Sequence, residues 1–235
     1  MENENENECN LNNIKSSDIR LKVLVLGDAT IGKTSLITRY CTNEFQPVYI
    51  TTIGIDKRRK NICVNNVQVK LIIWDTAGQE KFRSLNKTFY KETDAVILAF
   101  DLNNKESIIN INYWMGQLYQ EKNIEKIGLV LVGTKKDLLN DGGRDKVEKK
   151  EIEDSIQRYK IKYFETSSKT GEGVKEMFNY VIKLSLSKKN VPELPFNGNL
   201  ECYQIKELNK GQEEELNNKE IENFVLKKKK SCCKS

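Results

Sequence analysis

The hydrophobic positions of the chain fall into short runs separated by longer amphipathic segments. The runs are rich in β-branched residues and favour buried strands, while apolar residues at three- and four-residue spacings between them favour helices. This alternation predicts an α/β fold whose sheet carries helices on both faces. Strands are expected at Leu21–Leu26, Val67–Trp74, Ala95–Phe100, Gly128–Val132 and, more weakly, Tyr163–Glu165. Helices are expected at about Lys33–Tyr40, Ser107–Glu121, Glu148–Tyr159 and Gly173–Leu186.

A hairpin is expected where Lys57–Val64 and Val67–Trp74 flank the pair Asn65 and Asn66. Asparagine tolerates left-handed backbone angles, so two in succession suit a tight turn between antiparallel strands. The sheet is therefore predicted to have six strands, mostly parallel, with one antiparallel strand.

The two ends of the chain differ in composition from its interior. Residues 1–19 are polar and of low complexity, with too little apolar surface to offset the entropy of ordering them, so we expect a disordered arm. Pro192 and Pro195 end the last helix, and residues 197–226 form a polar linker. The expected organisation is an arm (1–19), one domain (20–188) and a flexible tail (189–235).

Composition excludes several classes of function. The chain has no histidine, which removes histidine-dependent catalytic triads and His-ligated zinc sites. Its net charge of +5 is modest and dispersed except at the C-terminus, so no nucleic-acid-binding surface is expected. The six cysteines form no C-x-x-C pair, which favours a reducing, cytosolic setting. No run approaches the roughly eighteen apolar residues of a spanning helix, and the polar N-terminus does not match a secretory signal.

A candidate phosphate site lies in the segment Gly27–Thr34, which reads G-x-x-x-x-G-K-T between an apolar run and a helix-like stretch. This spacing lets backbone N–H groups converge on a β-phosphate, while the helix N-terminus and the Lys33 ammonium add positive charge. The hydroxyl of Thr34 can bind Mg²⁺. The sequence therefore predicts a triphosphate-binding loop after the first strand.

A second candidate group follows the strand Val67–Trp74, in the segment Asp75–Glu80. A carboxylate at Asp75 can reach Mg²⁺, and Gly78 has no Cβ to keep its backbone N–H away from a γ-phosphate. Alone, Asp75 is better read as a turn residue at a strand end. Together with the phosphate loop, it is interpreted as part of a nucleotide site.

These motifs resemble those of small Ras-superfamily GTPases, most closely the Rab family, over about residues 20–186. The resemblance implies the P-loop small G-domain fold and hydrolysis of GTP to GDP and phosphate in the control of vesicle traffic. Its segments are the phosphate loop, Thr51–Asp56, Trp74–Glu80, Phe82–Leu85, Gly133–Asp137 and Glu165–Lys169.

Carried over position by position, the resemblance implies that Lys33 binds the β- and γ-phosphates. It also implies that Thr34, Thr52 and Asp75 are the Mg²⁺ ligands. Loss of the γ-phosphate would release Thr52 and Gly78 and change two switch regions, about 42–57 and 77–91. A ring at position 45 would pack on the guanine and one at position 49 would cover the phosphates. The nucleotide-binding residues so implied are Asp28, Ala29, Thr30, Ile31, Gly32, Lys33, Thr34, Ser35, Phe45, Tyr49, Thr52, Gly78, Thr134, Lys135, Asp137, Ser167, Ser168 and Lys169.

Recognition of guanine is expected in the segment Thr134–Asp137. A carboxylate at Asp137 can accept the N1–H and the amino N–H of guanine together, a pairing that adenine lacks, so GTP is favoured over ATP. Thr134 stands where the family usually has asparagine, which is expected to shorten the side-chain bridge to the phosphate loop. Ser168 stands where alanine is common and would offer its backbone N–H to the guanine oxygen.

Gln79 is the expected catalytic residue, because it would orient the attacking water without acting as a strong base. Intrinsic turnover is then slow, roughly 10⁻⁴ to 10⁻² per second, and an arginine from an activating protein would raise it by about 10³ to 10⁵. Two positions depart from the family pattern. Thr30 is bulky for the phosphate loop and is expected to alter hydrolysis, and Lys57 replaces the phenylalanine that usually closes the first switch signature, which changes the effector-facing surface.

The chain ends in the basic run Lys227–Lys230 followed by Cys232 and Cys233, which resembles the double-prenylation signal of Rab proteins. Two lipid chains give a stable membrane anchor, and each nearby lysine adds about 1 kcal/mol at an anionic leaflet. Read as a C-a-a-X signal the same residues match poorly, because Lys234 is charged. A solvated tail is the alternative for the lysines.

The leading interpretation is a monomeric, prenylated Rab-like GTPase on the cytoplasmic face of an intracellular membrane, cycling with the cytosol. Its expected partners are an exchange factor, a GTPase-activating protein, prenylation, escort and GDI-type extraction proteins, and effectors that bind the switch regions. The alternatives are an adaptor that holds GTP without useful hydrolysis, another branch of the Ras superfamily, and a P-loop phosphotransferase acting on a small molecule.

Overall fold

The computed structural model describes residues 15–47, 52, 54–76, 90–120, 124–139, 145–191 and 205–207. The strands in these residues are β1 (Lys15–Leu26), β2 (Ile55–Val64), β3 (Val67–Thr76), β4 (Ala95–Asp101), β5 (Gly128–Thr134), β6 (Lys162–Glu165) and β7 (Ile205–Glu207). The α-helices are α1 (Lys33–Thr42), α2 (Lys105–Ile109), α3 (Ile111–Leu118), α4 (Lys149–Tyr159) and α5 (Val174–Lys189). Short 3-10 turns lie at Ile124–Lys126 and Lys136–Leu138, before and after β5.

The strands form one mixed sheet in the order β6-β5-β4-β1-β3-β2-β7. Neighbours from β6 to β3 are parallel, whereas β2 is antiparallel to both β3 and β7. The first six strands confirm the expected fold class, a P-loop small G-domain with five parallel strands and one antiparallel strand. The carboxyl ends of the parallel strands meet at one edge of the sheet, where open α/β sheets bind their ligands.

The expected hairpin between β2 and β3 is confirmed. Asn65 and Asn66 adopt the left-handed φ angles of 48° and 62°. Val64 then pairs directly with Val67, so the turn contains only the two asparagines. This turn fixes the register of the antiparallel pair.

Hydrophobic side chains form a core on each face of the sheet. On one face, Val23 packs in a layer that includes Leu36 of α1 and Phe178 of α5. On the other face, Leu24 packs in a layer that includes Trp114 of α3. Successive residues of β1 enter opposite layers because side chains alternate across a strand. Helices therefore cover both faces, as expected.

The ends of the domain differ from the sequence-based boundaries. β1 begins at Lys15, which pairs with Val67, so residues 15–19 belong to the sheet rather than to the arm expected over 1–19. β7 lies inside the segment interpreted as a linker, and it pairs Ile205 with Val64 of β2. A three-residue strand is too short to produce a periodic hydrophobic signal, so composition alone indicated a linker there.

The helix expected over Ser107–Glu121 is two helices, α2 and α3. Asn104 caps α2 by accepting hydrogen bonds from the backbone N–H groups of Glu106 and Ser107, which moves the start earlier. The break falls at Asn110. The helix expected at Glu148–Tyr159 is confirmed as α4, with Glu148 in a reciprocal capping box with Glu151.

Candidate nucleotide-binding site

The loop between β1 and α1 is shaped by unusual backbone angles. Gly27 has a φ of 146°, and a Cβ on it would lie 2.2 Å from the carbonyl oxygen of Ala99, so only glycine fits. Gly32, with a φ of 96°, is the N-cap of α1. Thr30 has a φ of 62°, a strained conformation for a β-branched residue. The loop thus turns sharply and ends at a helix N-terminus, as an anion-binding loop requires.

Lys33 is the first residue of α1 and is only 5% exposed. Its Nζ donates hydrogen bonds to the carbonyl oxygens of Gly27 at 2.9 Å and Asp28 at 2.6 Å, which hold the ammonium against the loop. Burial lowers the pKa of Lys33 to about 8, although the Asp75 and Asp28 carboxylates act in the opposite direction. A phosphate bound in the loop would place further negative charge beside the buried Lys33 ammonium.

Thr34, Thr52 and Asp75 come from three separate segments and converge near Lys33. The Oγ1 atoms of Thr34 and Thr52 are 2.7 Å apart. Asp75 lies near the end of β3, is 2% exposed and interacts with the Thr34 hydroxyl. Burial raises the pKa of Asp75, against the opposing effects of Thr34 and Lys33. Among the described residues, the Oδ1 atom of Asp75 has no hydrogen-bond partner.

This group has the chemistry of a Mg²⁺ site. Mg²⁺ takes oxygen ligands at about 2.1 Å in an octahedron, so neighbouring ligands are about 3 Å apart, close to the separation of the Thr34 and Thr52 hydroxyls. The unpaired Asp75 oxygen offers a third ligand, direct or through water. No group of three or more His, Cys, Asp or Glu side chains that could hold a metal ion is present in the described ranges. One carboxylate and two hydroxyls would leave coordination positions for phosphate oxygens.

Thr134, the last residue of β5, connects the segment expected to bind guanine to the phosphate loop. Its Oγ1 lies 2.6 Å from the carbonyl oxygen of Ile31 and 2.9 Å from that of Phe100. The shorter side chain therefore still reaches the loop, through the loop's backbone. Lys135 follows with a left-handed φ of 58°, and its Nζ pairs with Asp101 at 2.7 Å.

The Asp137 carboxylate has a fixed orientation. Its Oδ1 accepts a hydrogen bond from Ser167 Oγ at 2.6 Å, which joins the segments after β5 and β6. Ser167 Oγ in turn accepts a hydrogen bond from the backbone N–H of Thr170 at 3.1 Å. Recognition of guanine by these two segments stays a prediction.

A cavity of about 770 Å³ runs from the phosphate loop to Asp137 and Ser168. That volume is within the range of small-molecule sites. Phe45 is half-buried and lies in its wall. The expected binding residues that line the cavity are Thr30, Gly32, Lys33, Thr34, Ser35, Phe45, Thr52, Thr134, Lys135, Asp137, Ser168 and Lys169.

The sequence matches a family model described as the Ras family over residues 22–187. The chain belongs to the Ras family. The Ras-related protein Rab-27B of Bos taurus is 37% identical over 181 residues, which cover 73% of this chain and 82% of the relative. Ras-related protein Rab-24 of Dictyostelium discoideum is 38% identical over 181 residues, covering 77% and 88%. Ras-related protein Rab-34 of Rattus norvegicus is 34% identical over 212 residues, covering 90% and 79%.

Family membership and these relatives confirm a Rab-like small GTPase, which binds guanine nucleotides and hydrolyses GTP in the control of vesicle trafficking. Regulators and effectors in general are implied for a protein of this family. The non-hydrolysing adaptor, the small-molecule phosphotransferase and another branch of the superfamily are not favoured.

Asp28 has a supporting role in this GTPase that sequence reasoning missed. Its Oδ2 accepts a hydrogen bond from Asn110 Nδ2 at 2.8 Å, and its Oδ1 accepts one from Trp114 Nε1 at 3.1 Å. The break between α2 and α3 places Asn110 for this contact. The carboxylate therefore anchors the phosphate loop to the helices. The expected contact of Asp28 with nucleotide remains a prediction.

Arg39 of α1 is a second residue that sequence reasoning missed. Its Nε donates to the carbonyl oxygen of Ser168 at 2.6 Å, and its Nη2 donates to that of Lys169 at 2.8 Å. It thereby holds the expected guanine segment against the helix that follows the phosphate loop. The only available signal was an arginine on a predicted helix, which does not indicate a partner 129 residues away.

Several expected functional residues lie outside the described residues, namely Tyr49, Gly78, Gln79, Cys232 and Cys233. Their roles remain predictions. Among the helices that the structure describes, none has both the length and the apolar character needed to cross a bilayer.

Proposed function

We propose that this Rab-like GTPase binds Mg²⁺-GTP with the residues described above and signals the loss of the γ-phosphate through Thr52. The observation that carries the proposal is the 2.7 Å separation of the Thr34 and Thr52 hydroxyls beside the buried Asp75. These groups belong to α1, to the segment before β2, and to β3. Thr52 is therefore positioned to respond to a ligand that Thr34 and Asp75 hold.

Nucleotide binding is divided between two ends of the cavity. Lys33 and the loop N–H groups hold the β- and γ-phosphates, where the N-terminus of α1 adds positive charge. Asp137, oriented by Ser167, accepts the N1–H and amino N–H of guanine. Adenine would leave this half-buried carboxylate without those donors, which accounts for selection of GTP.

The oxygen atoms of Thr34, Thr52 and Asp75 would hold the magnesium ion, which neutralises phosphate charge when bound. Gln79 orients the attacking water toward the γ-phosphate. After hydrolysis Thr52 and Gly78 lose their γ-phosphate contacts, and the segments at about 42–57 and 77–91 change conformation. That change distinguishes the GTP form for effectors.

The GTP form acts at the cytoplasmic face of an intracellular membrane, to which prenyl groups on Cys232 and Cys233 anchor it together with Lys227–Lys230. An exchange factor and a GTPase-activating protein drive the cycle, and escort and GDI-type proteins handle the lipidated tail. The protein works as a monomer. Replacing both cysteines by serine is expected to move the protein from the membrane fraction to the soluble fraction of a cell extract.

Single-turnover hydrolysis of GTP by the purified full-length chain tests the catalytic part of the proposal. Wild type should cleave GTP at roughly 10⁻⁴ to 10⁻² per second, and Gln79→Leu should be at least about tenfold slower while binding GTP equally well. Gln157→Leu, on the surface of α4, is the matched control. Equal rates for wild type and Gln79→Leu would remove the role given to Gln79.

A further inference from the structure

The last residue of β4, Asp101, is a buried carboxylate that contacts one wall of the nucleotide cavity. It is 8% exposed and pairs in the sheet with Thr134, the last residue of β5. Its Oδ2 lies 2.7 Å from the Nζ of Lys135, a residue that lines the cavity. A negative charge is therefore held beside the segment expected to bind guanine.

The turn after β4 fixes the position of this carboxylate. Its Oδ1 accepts hydrogen bonds from the backbone N–H of Asn103 at 2.9 Å and from Asn103 Nδ2 at 3.3 Å. The backbone N–H of Asp101 donates to the Oγ of Ser107 at 2.9 Å, and Ser107 is only 2% exposed. Because these contacts fix the backbone and one carboxylate oxygen, the other oxygen meets Lys135 from a rigid support.

Lys135 is held at both of its ends. Its backbone has the left-handed φ of 58°, which costs free energy in a residue other than glycine, and its carbonyl oxygen accepts a hydrogen bond from Asn103 Nδ2 at 3.2 Å. Its Nζ is paired with Asp101. Between these ends the side chain passes over the phosphate loop, where its Cε would lie 3.9 Å from a Cβ built on Gly32. The turn after β4 thus sets the path of Lys135.

Lys135 also begins the 3-10 turn that carries Asp137. It is the N-cap of the turn Lys136–Leu138, and its carbonyl oxygen accepts a second hydrogen bond, from the backbone N–H of Leu138 at 3.0 Å. Asp137 is the middle residue of this turn, and Ser167 orients its carboxylate. A shift of Lys135 would change the direction in which the turn leaves β5 and would move the Asp137 carboxylate with it.

Support of the turn after β4 does not by itself account for the ion pair. The donors of Asn103 and the contact with Ser107 already hold that turn, and they leave the Oδ2 atom of Asp101 to Lys135. The side chains of Asp101 and Lys135 are 11% and 33% exposed, so water and salt screen the pair less than a surface ion pair. Removing one partner would leave the other charge uncompensated.

We propose that Asp101 is a positioning residue for selection of the base. Together with Asn103 it holds Lys135, and through Lys135 it keeps the turn that carries Asp137 in the place that guanine requires. The inference rests on the proposed function in one respect, that Asp137 accepts the N1–H and the amino N–H of guanine. Asp101 acts on the base through these residues and not by touching the nucleotide.

Competition between GDP and inosine diphosphate tests the inference, because hypoxanthine keeps the N1–H of guanine and lacks its amino group. The full-length chain is loaded with a fluorescent GDP analogue in the presence of Mg²⁺. The concentrations of GDP and of inosine diphosphate that displace half of the analogue give their relative affinities. Wild type should prefer GDP by at least about tenfold, since inosine diphosphate leaves Asp137 without one of its two donors.

Asp101→Asn keeps the size of the side chain and removes its charge. An amide that still accepts from Asn103 turns its own NH₂ toward the Lys135 ammonium, so that two donors face each other. We expect the preference for GDP to fall by at least about threefold. A role limited to folding would weaken binding of both nucleotides equally and leave the preference unchanged. In a Lys135→Met background, which lacks the ammonium, Asp101→Asn should alter the preference by less than about 1.5-fold.

Asp94→Asn is the matched control. Asp94 lies just before β4, at the end of the strand opposite to Asp101, and its Oδ1 is 3.0 Å from the Nζ of Lys189. Its side chain is 16% exposed, against 11% for Asp101, so the same substitution removes a comparable ion pair away from the cavity. This variant should keep the wild-type preference within about 1.5-fold.

An unchanged preference in Asp101→Asn, with wild type preferring GDP, would overturn this inference alone. No preference in wild type would overturn the role proposed for Asp137 and this inference with it. Equal falls in Asp94→Asn and Asp101→Asn would assign the effect to the stability of β4, and a full loss in the Lys135→Met background would separate Asp101 from Lys135; either result overturns the inference.

Asn103→Ala tests the same claim if Asp101→Asn does not fold. Asn103 is half-buried, and its loss removes the side-chain donor to the Lys135 carbonyl oxygen while the backbone N–H to Asp101 remains. The preference for GDP should then fall by at least about twofold. An unchanged preference in this variant would also overturn the inference.

Discussion

The Thr134 hydroxyl lies 2.6 Å from the carbonyl oxygen of Ile31 and so ties the end of β5 to the phosphate loop. Phe100 offers a second carbonyl oxygen at 2.9 Å, so the single hydroxyl proton is shared between two buried acceptors. Thr134 is only 2% exposed. This contact joins the two halves of the nucleotide site without the asparagine that the family usually has there.

Replacing Thr134 by valine keeps the shape of the side chain and removes the hydroxyl. We expect GDP dissociation to become about 5- to 30-fold faster, because losing a buried hydrogen bond costs about 1 to 2 kcal/mol. Dissociation of a fluorescent GDP analogue under excess GDP measures the rate. Thr134→Ser, which keeps the hydroxyl, should stay close to wild type. If the serine variant releases GDP as fast as the valine variant, the hydroxyl is not the cause.

The anchoring of Asp28 by Trp114 gives a second prediction. Trp114→Phe keeps an aromatic ring in the core but removes the N–H that donates to Asp28 Oδ1. Hydrogen bonds to charged groups contribute about 1.5 to 3 kcal/mol, so GDP release should be about 10- to 150-fold faster. Asp28→Ala combined with Trp114→Phe should add little to either single change. Tyr119→Phe, at an exposed ring in the residue after α3, is the control.

Fully additive effects of Asp28→Ala and Trp114→Phe would show that the two side chains act separately. Additive effects on GDP release would also follow if Trp114→Phe acted only by lowering the stability of the fold. Urea unfolding of each variant therefore accompanies the kinetic measurement.

Thr30 stores backbone strain in the phosphate loop. A β-branched residue at its φ of 62° costs about 1 to 2 kcal/mol relative to glycine, partly offset by the greater freedom of glycine in the unfolded chain. Thr30→Gly should therefore raise the free energy of unfolding by about 0.5 to 1 kcal/mol. Thr30→Ala keeps a Cβ and should gain less. A lower free energy of unfolding for the glycine variant would show that the loop conformation is not strained.

The pairing of β7 with β2 predicts local protection of the sheet edge. Ile205→Pro removes a backbone donor from β7 and should detach it. Hydrogen exchange should then become faster at Ile62–Val64, while Val69–Leu71 on the other side of β2 stays unchanged. Mass spectrometry of the full-length chain after exchange measures both segments. Unchanged exchange at Ile62–Val64 would contradict the pairing.

The parts of the site that are local in sequence could be predicted from it. The spacing of Gly27, Gly32 and Lys33 indicates a phosphate loop because the glycine backbone and the lysine ammonium act together within eight positions of the chain. The strand pattern likewise predicted the parallel sheet, and Asn65 with Asn66 predicted the hairpin. In each of these cases the signal lies within one turn or one element.

The supports of the site could not be predicted in this way. Arg39 contacts Ser168, which is 129 positions away in the sequence, and Trp114 contacts Asp28, which is 86 positions away. No local sequence pattern indicates contacts between residues so far apart in the chain. The break at Asn110 was missed because the hydrophobic spacing continues through it from Ile108 into α3. Tertiary contacts there override the local preference for one long helix.

Calorimetric titration of the full-length chain with GDP and with a non-hydrolysable GTP analogue, with and without Mg²⁺, tests the central claim most directly. For wild type, Mg²⁺ should strengthen binding of the analogue by at least about 100-fold. Thr52→Val should lose most of that gain for the analogue, while its affinity for GDP stays within about threefold of wild type. The account would be contradicted if the affinity for the analogue did not depend on Mg²⁺, or if Thr52→Val lost affinity equally for both nucleotides. Either result would exclude a γ-phosphate-sensing metal site at Thr34, Thr52 and Asp75.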